Sequence, residues 1–90
     1  MCAELKAQGI SFETQVEIPV LYRDVWIRCG YRLDLLIEKQ LIVEIKAVEA
    51  LVPIHDAQLL TYLRLTKLRI GLLLNFNTPV LRNGIKRISL

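Results

Sequence analysis

Long apolar runs are missing from this chain. Apolar residues make up 53% of its 90 residues, yet none of the runs reaches the ~18 residues that a membrane-spanning helix needs. The first residues also lack the pattern of a secretion signal. A cytoplasmic protein with no membrane partner is therefore expected. Cysteine is scarce: Cys2 and Cys29 are too few for a disulfide framework or a cysteine-built zinc site, and free thiols are expected. Runs of Lys and Arg are absent as well. A net charge of +3 and a pI near 9.1 permit contact with nucleic acid without marking a dedicated basic patch. No low-complexity linker and no internal repeat divides the chain, so residues 1–90 are expected to form one small domain. The high apolar content calls for a real core.

What is present is concentrated between Gly30 and Val48, GYRLDLLIEKQLIVEIKAV. This stretch reads as two strands rich in Leu, Ile and Val, joined by a turn at Glu38-Lys39-Gln40. Alternation puts Tyr31, Leu33, Leu35 and Ile37 on one face of the first strand, and Arg32, Asp34, Leu36 and Glu38 on the other. On the second strand Leu41, Val43, Ile45 and Ala47 form an apolar face, with Glu44 and Lys46 opposite. Asp34, Glu44 and Lys46 are thus embedded in an apolar hairpin, where charge is costly unless it is paired or bound to a metal. The two carboxylates share a face only in an even register. Pairing Glu38 with Ile42, for example, sets Leu36 opposite Glu44 and Asp34 opposite Lys46. A two-residue turn at Lys39-Gln40 would instead separate the carboxylates.

Around this hairpin the chain reads in order as a helix tail, a three-strand meander, a helix and two strands. Residues Met1 to Gln8 end a helix at Gly9. A half-exposed strand follows from Ile10 to Tyr22, with Phe12, Thr14, Val16, Ile18, Val20 and Tyr22 on one face. Pro19 argues that it lies at a sheet edge. The second strand begins near Val25. It contains Trp26 as a packing residue and Gly30 at a bulge or close approach. Pro53 starts a helix over Ile54 to Thr66. Ile70 to Phe76, apolar on both faces, reads as a central strand parallel to the one before the helix. Asn83-Gly84 turns into a last strand, Ile85 to Leu90.

Asp34 followed by Glu44-Ile45-Lys46 resembles the Asp…Glu-x-Lys signature of the PD-(D/E)XK nuclease superfamily. The segments GYRLDLLIE, LIVEIKAVE, HDAQLLTYLRLT, LLLNFN and NGIKRI are similar to its GxxExxY branch, over about Glu4 to Leu90. The naming motif itself is not matched: Met1 stands at its glycine position and Ala7 at its tyrosine position. The resemblance implies a mixed α/β restriction-endonuclease-like αβββαβ core, of which this chain carries only the tail of the first helix. It implies hydrolysis of nucleic acid, DNA above RNA, with Mg²⁺ or Mn²⁺ held by Asp34, Glu44 and the carbonyl of Ile45. Gln58 and Tyr62 in QLLTY resemble the QxxxY motif of RecB-like nucleases, beside the active site.

The residue types suit that chemistry. Mg²⁺ takes hard oxygen ligands, commonly one or two carboxylates completed by water and phosphate. Lys46, on the face of Glu44 and about 7 Å along the strand, is placed to offset charge on a phosphoryl group. A Gln amide and a Tyr hydroxyl can hold a phosphate oxygen or a carboxylate. Plainer explanations stand beside each. Asp34, Glu44 and Lys46 can form an exposed cross-strand ion pair, and Gln58 and Tyr62 can be a core rim. His55 can be a base or a structural helix-start residue. Arg82, Lys86 and Arg87 can guide a nucleic-acid backbone or simply be solvated. A silent nuclease-fold module that binds nucleic acid or protein is the alternative function. One full helix covers only one face of a two-sided apolar sheet, so self-association, most simply a homodimer, is expected.

Overall fold

The computed structural model describes residues 2–77 and 84–90, the side chains of 21, 22 and 27–30 excepted. Helix α1 (Cys2–Ala7) precedes strands β1 (Phe12–Tyr22), β2 (Val25–Ile37) and β3 (Leu41–Lys46). Helix α2 (Pro53–Thr66), β4 (Ile70–Asn75) and β5 (Ile85–Ser89) follow. The strands form one sheet in the order β1-β2-β3-β4-β5. Its β3–β4 pair, bridged by α2, is parallel; the other neighbours are antiparallel. The expected element order is therefore observed, with Pro19 on an edge strand. The last apolar strand stops one residue early, leaving Phe76 exposed beyond it. The turn placed at Asn83 and the cation Arg82 lie outside the described residues.

Local chemistry sets the element ends. Gly9, at φ +70°, closes α1 as the Ile10 amide donates to the Leu5 carbonyl (2.9 Å) and the Gly9 amide to that of Lys6 (3.1 Å). Between β2 and β3, Glu38 and Lys39 have φ of 52° and 55°, and the Gln40 amide donates to the Ile37 carbonyl. Two left-handed residues match the twist of a hairpin but are disfavoured away from glycine. Compensation comes from Ser11, whose amide donates to Glu38 Oε1 (2.9 Å) and whose carbonyl accepts from the Glu38 amide (2.8 Å). At the start of α2, His55 Nδ1 accepts from the Val52 amide (3.0 Å). His55 therefore serves as a helix cap.

Helix α2 packs on one face of the sheet. Leu59 and Leu63 on the helix meet Ile18, Leu33, Ile42 and Leu73 on the strands. The approach is close at Gly71, where a Cβ would stand 2.8 Å from Leu59 Cδ1. The opposite face holds a smaller cluster, Leu35, Val43 and Leu74, against which Cys2 of α1 is partly packed. Ile45, Phe76 and Ile85 remain exposed.

Two expectations about faces need correction. Leu33 and Leu35 do not share a face: Leu33 joins the α2-side cluster and Leu35 the opposite one. Strand β1 divides likewise, with Phe12 on one side and Val16 and Ile18 on the other. The ladder pairs Thr14 with Leu35 and Val16 with Leu33 but lacks the rung between them, Gln15 opposite Asp34. Gln15 there has φ +52°, and a single left-handed residue disrupts strict two-residue alternation. Trp26 is the second correction: at 67% exposure it is no core packing residue. It instead lines the rim of an apolar groove with Pro19, Leu65 and Leu68.

Candidate active site

Strands β2 and β3 pair through Ile37–Leu41, Leu36–Ile42 and Leu35–Val43, and then the ladder stops. The register has the even parity that brings the carboxylates together, but it is offset from the Glu38–Ile42 pairing, so Asp34 falls opposite Glu44. Beyond the last rung, side chains replace backbone partners. The Asp34 amide donates to Glu44 Oε1 (3.2 Å), and the Ile45 amide donates to Asp34 Oδ2 (2.8 Å). Each carboxylate is thus tied to the backbone next to the other, at the rung where the hairpin changes face.

Glu44 is only 3% exposed. Burial first, and then the neighbouring charge of Asp34, push its carboxyl up to about 7; the Asp34 amide and Lys46 oppose the shift. The charged pair is therefore under-compensated by the protein's own groups, which is the electrostatic condition of a cation site. An exposed cross-strand ion pair does not describe this arrangement. Among the described residues no cluster of three or more His, Cys, Asp or Glu side chains is present. Two carboxylates with water and phosphate suffice for Mg²⁺, so this donor set fits a hard divalent cation.

Helix α2 supplies the other half of the site. Lys46 Nζ donates to Gln58 Oε1 (2.8 Å), and Gln58 Nε2 donates to the Tyr62 hydroxyl (3.2 Å). The helical spacing of Gln58 and Tyr62 puts them one turn apart on the face turned to the strands. Tyr62 is buried, and its phenol is shifted upward by desolvation and then by the charge of Glu44. It stays protonated near neutrality. Asp34, Glu44, Lys46, Gln58 and Tyr62 are thus brought together, with Ile45 adjoining through its amide. His55, as the helix cap, is not part of this group. Lys86 is engaged by Asp56 at 2.6 Å, while Arg87 is exposed on β5, paired with Leu72 of β4.

The model of the PD-(D/E)XK nuclease superfamily matches residues 1–88. The chain belongs to the PD-(D/E)XK nuclease superfamily. Its five-stranded mixed sheet with α2 on one face is consistent with the restriction-endonuclease-like fold of that superfamily, whose nucleases generally use divalent metals. No curated protein and no solved structure matches the chain. No helix among the described residues is long and apolar enough to cross a membrane.

One site-supporting residue escaped the sequence reading. Asn75, paired with Lys46 in the parallel register, is 2% exposed. Its Oδ1 accepts from the Val48 amide (3.1 Å), and its Nδ2 donates to the Val48 carbonyl (2.9 Å). This fastens the chain just after Lys46 as it leaves the sheet. The available signal was a single polar residue closing the apolar run LLLN.

Proposed function

We propose that this superfamily member hydrolyses phosphodiester bonds of nucleic acid, DNA foremost, with Mg²⁺ or Mn²⁺ held by Asp34, Glu44 and the Ile45 carbonyl. The resemblance to the GxxExxY branch is part of the same reading. The observation that carries it is the reciprocal tie between Asp34 and Glu44, with the Lys46–Gln58–Tyr62 chain beside it. A bound divalent cation supplies polarisation of a phosphoryl oxygen and a water of lowered pKa.

The chain's own residues account for the rest. Lys46 presents an ammonium to the phosphoryl oxygens as negative charge develops on them. Gln58 holds that ammonium, and the protonated Tyr62 fixes the amide of Gln58. In the reaction a water oxygen forms the new P–O bond, the bond to one sugar oxygen breaks, and that oxygen leaves with a proton. Exposed Ile45 and Ile85 on the face away from α2, with exposed Phe76 just past β4, support association of two copies.

The test is cleavage of linear, circular and single-stranded DNA with Mg²⁺ or Mn²⁺, using the Lys46→Ala protein as control. Wild type is expected to cut, and Lys46→Ala to lose on the order of 10²–10³-fold in rate while still binding metal. Binding of nucleic acid without cleavage would favour the silent module instead. Equal cleavage by both proteins would trace the activity to a contaminant.

A further inference from the structure

The β1–β2 ladder slips next to the site. Glu17 pairs with Arg32 and Pro19 with Arg28, so residues 29–31 of β2 stand opposite Ile18 alone. Extra residues of this kind bend a strand and re-aim a side chain, and they recur beside active sites. Of Cys29, Gly30 and Tyr31, only Tyr31 has a large side chain. Its ring lies 5.9 Å from that of Tyr62, centroid to centroid, at an interplanar angle of 70°. The Tyr62 hydroxyl accepts from Gln58, and its phenol is pushed upward by burial and then by the charges of Glu44 and Asp34. Tyr31 is therefore one ring removed from the carboxylates, yet 39% exposed and in neither hydrophobic cluster. An exposed aromatic alone needs no explanation. Its position, at a strand irregularity and against the polar chain of the site, does.

We propose that Tyr31 is a stacking wall for an unpaired nucleobase next to the scissile phosphate, so that the substrate is single-stranded nucleic acid. This rests on the nuclease reading above. A base in a duplex has both faces covered by neighbours and must be unstacked, at a cost, before an enzyme's aromatic can take it. An unpaired base offers its π-face freely, and stacking on an aromatic tolerates any sequence. Trp26, though more exposed, lines the groove by Leu65 and Leu68 and is not placed to serve this subsite.

The test compares wild type, Tyr31→Phe and Tyr31→Ala on a single strand and on the fully paired duplex of the same sequence, with Mg²⁺. Wild type should prefer the single strand, and Tyr31→Phe should keep that preference. Tyr31→Ala should lose about 5-fold to 100-fold in kcat/KM on the single strand, mainly through KM, with less than a twofold change on the duplex. Replacing each base in turn by an abasic site should reveal one position at which wild type falls to the level of Tyr31→Ala. Thermal melts of all three proteins monitor folding. Equal slowing of Tyr31→Ala on both substrates, no abasic position that equalises the proteins, or preference for duplex would each overturn the proposal while leaving nuclease activity standing. Cleavage of neither substrate by wild type would instead remove the nuclease reading, and this proposal with it.

Discussion

Glu44 shows how burial and a like charge act on one carboxylate. Its ordinary value of 4.5 rises to about 7 in the fold, so the folded chain holds a proton that the unfolded chain releases. Without metal, stability is then unpenalised below about pH 4.5, falls as pH rises toward 7, and carries the full penalty above it, about 3 kcal/mol. Glu44→Gln keeps the acceptor for the Asp34 amide and removes the charge. It should raise the denaturant midpoint of the metal-free protein near pH 8 and leave it almost unchanged near pH 4. A midpoint difference independent of pH would show that Glu44 is not the group responsible. A cation held at the pair, as proposed, would have the opposite effect on the wild type. If the proposed cation site is right, Mg²⁺ should raise its melting temperature, whereas Asp34→Asn should gain little, because the variant lacks one of the two carboxylates that would hold the ion.

At the level of elements, the site is made where two pairings fail. Strand β2 pairs with β3 only from Leu35 onward, and β1 and β2 lose the rung between Gln15 and Asp34. The freed backbone groups are then satisfied by the two carboxylates, which orients those carboxylates at the same time. Helix α2 must sit at the right height for Gln58 to meet Lys46. Gly71 sets that height, since any Cβ there would press on Leu59, the neighbour of Gln58. Leu59 is fully buried, so any shift of its side chain must be made within packed surroundings. Gly71→Ala should therefore destabilise the fold by about 1–3 kcal/mol and lower activity beyond the loss of folded protein, because α2 shifts against β4. Denaturant melts with a rate measured per folded molecule separate the two effects. Unchanged stability would show that the helix yields without strain.

For the molecule as a whole, the two faces of the sheet are unequally covered. On the α2 side Leu33, Ile42, Leu59 and Leu73 are fully buried, while on the other side Ile45 and Ile85 meet solvent, with Phe76 exposed just past the end of β4. Helix α1 has no buried residue of its own. Exposed apolar side chains on a sheet face that no long helix covers are candidates for association. Light scattering of the purified chain at micromolar concentration should give a dimer mass, and Phe76→Glu should return it to the monomer. A well-folded wild-type monomer would show that this face needs no cover.

The sequence by itself determined the elements and the ingredients of the site. Periodicity, Gly9, Pro53 and the Glu38-Lys39-Gln40 turn are local signals, and they located helices and strands to within a residue or two. The charged groups Asp34, Glu44 and Lys46 stood out because an apolar hairpin makes them costly, and QLLTY placed Gln58 and Tyr62 on one helical face. Only the tertiary structure decided which rung Asp34 occupies, because several turn geometries preserve the same parity. It alone showed the change of face at Gln15 and Asp34, since strict alternation presumes an unbroken ladder. The exposure of Trp26, the capping role of His55 and the latch made by Asn75 likewise depend on partners far along the chain. Those partners meet only when β1, α2 and β4 are brought together by burial of the core, a long-range event that no window of neighbouring residues encodes.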